Sequence, residues 1–112
     1  MTKRIKPIHP GKYLKEILDE LKLSQYQLAK ELHVSAMRVS HIVKGKRPIT
    51  AELAYRLGYY FSQSPRYWLN LQDRYDMDIV ENEMAKRISR EIHPYLLVDQ
   101  IDRTPYPLNT SY

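Results

Sequence analysis

Apolar positions return at helical spacing through most of the chain, and breaks fall at Pro, Gly and capping residues. Leu14, Ile17, Leu18 and Leu21 follow the i, i+3, i+4, i+7 pattern of one helix face. This predicts a first helix after Pro10-Gly11 with that face buried. Ser24 followed three residues later by Gln27 reads as a capping box opening a second helix, with Leu28, Ala29 and Leu32 inward. After a break at His33-Val34, Ser35 caps a third helix from Ala36 to Lys44, which Gly45 ends and which buries Val39 and Ile42. Thr50 caps a fourth with Leu53, Ala54, Leu57 and Phe61 inward. Ser64-Pro65 starts a fifth, with Pro at its first position and Trp68, Leu71 and Tyr75 on one face. Residues 10–79 thus divide into five helical blocks. From Asp76 to Ile92 the spacing of Met84, Ile88 and Ile92 predicts a sixth helix, with Glu83 and Arg87 placed to pair. Beyond Pro94 a short apolar run among Pro and Thr has no core-forming period, and reads as a tail or a binding arm. No strand alternation competes, so the fold class is all-α.

The short connection at His33-Val34 forces the second and third helices to cross steeply, the corner that presses one helix into the major groove while the other crosses the backbone. With Val39 and Ile42 turned inward, the third helix offers Ala36, Met37, Arg38 and His41 to base edges. A guanidinium such as that of Arg38 can bond guanine O6 and N7 together, His41 can read guanine or a phosphate, and Ala36 and Met37 can lie on a thymine methyl. Phosphate contacts are expected from Ser24 and Gln25 at the start of the second helix, and from Ser40, Lys44, Lys46 and Arg47.

Charge and composition narrow the classes. A length of 112 residues allows one domain of ordinary size, and a net charge of +5 favours a polyanionic partner. There is no cysteine, hence no disulfide framework or thiolate metal site, and the four histidines are scattered. No apolar stretch approaches the roughly 18 residues of a membrane span, and residues 1–10 lack the apolar run of a signal peptide, so the cytoplasm is the simplest address. Carboxylates sit without a glycine-rich phosphate loop or a nucleophile elbow. The expectation is a binding protein that is no enzyme and needs no cofactor, metal or small-molecule substrate. Trp68, Leu71, Tyr75 and Ile79 offer more apolar surface than a five-helix domain hides, which predicts a homodimer through this region.

The run LSQYQLAKELHVSAMRVSHIVKGKRPIT, residues 23–50, resembles the five-helix lambda-repressor-like, or XRE-type, helix-turn-helix. With IHPGKYLKEIL at 8–18 and ITAELAYRLGYYFSQSPRYWLNLQDRYD at 49–76, the chain is similar to the HigA-type antitoxins of type II toxin-antitoxin modules. The resemblance implies a helix-turn-helix domain over residues 1–80 and a carboxy-terminal extension over 81–112, helical to about residue 92. It also implies a dimer that represses its own operon at a palindromic operator and silences a HigB-type mRNA endoribonuclease toxin. Where related repressors often carry polar residues, this chain has Ala36 and Met37, which moves the weight of base readout onto Arg38 and His41. Because the chain is itself basic, holding a basic toxin needs a local apolar or acidic surface. The expected surface is Tyr95, Leu96, Leu97 and Val98 beside Asp99 and Asp102, with Glu16, Asp19 and Glu20 of the first helix as second choice. The alternatives are a stand-alone or phage-type repressor without a toxin, and an interaction module that has lost DNA binding.

Overall fold

The computed structural model describes residues 6–95, which form α1 (Pro10–Leu21), α2 (Gln25–Leu32), α3 (Ala36–Val43), α4 (Ala51–Phe61), α5 (Pro65–Glu83) and α6 (Ala85–Glu91). The starts of α1 to α5 are chemically specified. Nδ1 of His9 accepts from the Gly11 N–H at 2.9 Å and Pro10 takes the first position of α1. Ser24 and Gln27 exchange both capping-box bonds, at 3.0 and 2.8 Å. The hydroxyls of Ser35, Thr50 and Ser64 accept from Arg38, Leu53 and Arg66 N–H groups. α1, α2 and α4 end on left-handed Lys22, His33 and Ser62, and Gly45 takes φ +75° after α3.

One core holds α1 to α4 and the start of α5: Leu14, Leu18, Leu28, Leu32, Val39, Ile42, Ile49, Leu53, Leu57 and Trp68 are all buried. Two local features close it. Gly11 lies against the backbone of Ile42 so tightly that a Cβ would overlap its carbonyl oxygen, which brings α1 directly onto the end of α3. Gln72, only 6% exposed, accepts the Ile49 N–H at 2.8 Å and donates to Asp76 at 3.0 Å, so the extended residues before α4 find a partner for their backbone on α5.

Several expectations from the sequence are corrected. Leu21 is exposed, because it is the last residue of α1 and lies beyond the neighbouring helices. The sixth helix expected from Asp76 to Ile92 is shorter: α5 runs unbroken to Glu83, the chain turns at Met84, and α6 covers only Ala85–Glu91. The ion pair near that end joins Arg87 to Glu91 at 3.7 Å in place of Glu83. Among the described residues no helix is long and apolar enough to cross a membrane.

Candidate nucleic-acid interface

α2 and α3 are separated only by His33, Val34 and Ser35. Left-handed His33 reverses the chain and Ser35 caps the next helix, so the corner is set by backbone geometry and by one hydroxyl. Val39 and Ile42 anchor α3 in the core, which leaves Ala36 and Met37 exposed and Arg38, Ser40 and His41 half-buried along the outer side. Beyond its end, Lys44, Lys46 and Arg47 on the following turn are exposed. None of these three cations joins an ion pair among the described residues. The turn is nonetheless anchored, because Gly45 lies against the His9 ring. Three uncompensated cations on a held turn next to an exposed helix face form a surface suited to phosphates.

At the other end, Ser24 is exposed at the cap of α2 and Gln25, its first residue, is half-buried. The Ser24 N–H and hydroxyl are both engaged with Gln27, so what this helix start offers outward is the Gln25 side chain and the helix N-terminus itself. The structure places the residues expected to touch bases on α3, and those expected to touch phosphates on α3, its following turn and the start of α2.

The environment of Arg38 is not encoded by any local pattern of residues. Its Nη2 donates to Glu52 at 3.0 Å and to Thr50 Oγ1 at 3.2 Å. Glu52 also accepts from Arg56 Nε at 2.7 Å, and Arg56 Nη1 donates to the carbonyl of Leu32 at 2.8 Å. The hydrogen bonds from Arg38 and Arg56 hold the Glu52 carboxyl below the usual carboxylate range. Residues separated by fourteen positions meet here, which no local pattern encodes.

The expected dimer residues divide. Trp68 is wholly enclosed in the chain's own core, its indole N–H donating to Gln63 at 2.9 Å, so it has no surface to give a partner. Leu71 packs against that core, while Tyr75 and Ile79 are half-buried further along α5. Of the expected toxin-binding residues, Tyr95 is exposed, and Leu96, Leu97 and Val98 lie outside the described residues, as do Asp99 and Asp102. On α1, Glu16 and Asp19 are paired with Lys12 and Lys15, which leaves the second-choice acidic face largely compensated.

The helix-turn-helix family model, HTH_3, matches residues 14–67. The virulence-associated protein I of Dichelobacter nodosus is 46% identical over 77 residues, 68% of this chain and 71% of its own length. Among solved structures, an addiction module antidote protein of the HigA family from Coxiella burnetii is 46% identical with a TM-score of 0.78, over 81% of this chain and 100% of that one. The antitoxin HigA of Pseudomonas aeruginosa, solved with the higBA promoter, is 43% identical with a TM-score of 0.77 over the same shares.

Proposed function

Because this chain belongs to the HigA-type antitoxins of the XRE helix-turn-helix family, we propose that it is an antitoxin and autorepressor, a cytoplasmic binding protein that carries out no catalysis. As a homodimer it places α3 of each copy in successive major grooves of a palindromic operator, and it neutralises a HigB-type mRNA endoribonuclease. The observation that carries the DNA role is the exposed face of α3 flanked by the uncompensated Lys44, Lys46 and Arg47. Arg38 and His41 read bases, and Ala36 and Met37 make apolar contacts. Ser24, Gln25, Ser40 and the three cations hold the backbone. Two-fold symmetry doubles the contact and spaces the half-sites by about 34–36 Å.

The dimer forms through the distal half of α5, with Tyr75 and Ile79 at its centre. The toxin binds the segment beginning at Tyr95, outside the DNA-binding unit.

Fluorescence anisotropy on a duplex from the chain's own promoter, set against a scrambled duplex, tests the DNA role. Binding at least about a thousandfold tighter to the promoter is expected. Arg38→Ala costs about 1–3 kcal/mol on the promoter, and Lys46→Ala weakens both duplexes and lowers the salt slope by about one. Equal affinity of the wild-type chain for both duplexes refutes it. Co-purification with the product of the adjoining gene tests the toxin, and truncation after Ile92 is expected to abolish that co-purification while leaving promoter affinity within about threefold.

A further inference from the structure

Resting on the DNA-binding reading above, we infer that Glu52 is a positioning residue for recognition: it holds the Arg38 guanidinium in the orientation from which it meets the operator.

The geometry is a chain of charge-assisted bonds across the helix-turn-helix. The Leu32 carbonyl at the end of α2 accepts from Arg56, Arg56 donates to one oxygen of Glu52, and the other oxygen accepts from Arg38 on α3. Thr50, which caps α4 through the Leu53 N–H, supplies a second acceptor for the same Arg38 nitrogen. A terminal guanidinium nitrogen has two hydrogens, and both are used. This fixes the plane of the group and leaves Nε and Nη1, which share no edge of the guanidinium, each able to make one single hydrogen bond to the operator. An arginine free on the surface loses its rotamer freedom only when it meets a base. Arg38 has lost much of it beforehand, so less ordering remains to be done on binding.

Two observations argue that this arrangement serves recognition and not stability. The Glu52 side chain is 53% exposed, and ion pairs so open to water contribute little to folding. An acid this close to a face that must approach phosphates opposes DNA binding by its charge, which makes it a liability there unless it improves contact through its neighbour. Glu52 is in turn fixed by Arg56, so the orientation of Arg38 is referred to the end of α2 and moves with the whole corner.

The test is anisotropy of the full chain as wild type, E52Q, R38A and the double variant, on the promoter duplex and its scrambled counterpart, with a melting curve for each. E52Q is expected to weaken promoter binding about tenfold, a coupling of the size seen between contacting charged residues, and to leave scrambled DNA unchanged or slightly tighter. In the R38A background E52Q is expected to change promoter affinity by less than about twofold. Equal weakening on both duplexes would make Glu52 merely structural, and equal tightening would make it only a repelling charge. An effect of E52Q that persists undiminished in R38A would separate it from Arg38; any of these three overturns the inference. Failure of the wild type to prefer its promoter instead refutes the DNA reading itself, a result visible before any variant is compared.

Discussion

The two halves of α5 share one unbroken helix and differ in what holds them. In the first, Trp68 is fully enclosed and Gln72 nearly so, and the helix is part of the core. From Asp73 onward no described residue is buried, and Met77 is 60% exposed. Along the distal half Met77 and Val80 lie one turn apart on one side and Tyr75 and Ile79 one turn apart on another, and none of the four is buried within the chain. One continuous helix thus has one end built into the chain's own core and the other extending beyond it, where the dimer proposed above would form.

The largest expected effect lies in the proximal half. Trp68→Ala removes the largest buried side chain and leaves Gln63 without its indole donor, so urea unfolding should show a loss of about 3–5 kcal/mol. A loss below about 1 kcal/mol would erase the distinction between the halves. Gln72→Leu comes next, at about 1–3 kcal/mol, because it keeps the bulk and strands the Ile49 N–H in a buried position. If this variant unfolds at the wild-type denaturant midpoint, water reaches that N–H and the polar seam between α4's approach and α5 does not matter.

These two residues also mark how far the sequence could be read. Trp68 was legible as a packed aromatic on a periodic face, but its spacing with Leu71 and Tyr75 could not tell an internal core from an interface, because both need the same apolar side. All the helix starts from α2 to α5 were legible, since Ser24, Ser35, Thr50 and Ser64 act on N–H groups within three residues. The contact face of α3 followed from the inward turn of Val39 and Ile42. Gln72 and Glu52 were not legible: their partners, Ile49 and Arg38, stand 23 and 14 positions away, and only the tertiary crossing brings them together. The continuity of α5 through Asp76 was missed because the apolar pattern weakens where the helix leaves the core, although the backbone does not break.

A smaller effect on folding, and a larger one on assembly, is expected in the distal half. Met77→Ser with Ile79→Ser should change the stability of the monomer by no more than about 0.5 kcal/mol, as surface substitutions do. The same pair should convert a dimer to a monomer in sedimentation at micromolar concentration and remove the dependence of the melting midpoint on protein concentration. A double variant that sediments as the wild type does would show that the second copy binds elsewhere, and the distal half would then need another partner.

The smallest effect concerns the contact that ties the distal half back to the domain. His9 packs edge-on against Tyr75 with centroids 4.9 Å apart, while its Nδ1 caps α1 by accepting from Gly11. That bond needs an unprotonated Nδ1, so the cap exists only in neutral imidazole. Burial lowers the His9 pKa from its ordinary 6.5, and the hydrogen bond to the Arg47 backbone and the charge of Asp76 offset it only in part. The unfolded chain therefore takes up this proton at higher pH than the folded one. The contribution of His9 is complete above pH 6.5 and declines as pH falls from there through the lower folded value. Melting midpoints should be level above about pH 7 and fall on acidification through this window. Asparagine also caps helices but does not titrate, so His9→Asn should flatten that part of the profile while keeping α1 intact. Coincident melting profiles for the two proteins between pH 5 and about 7 would assign the acid sensitivity to other groups and leave the Tyr75 contact as packing alone.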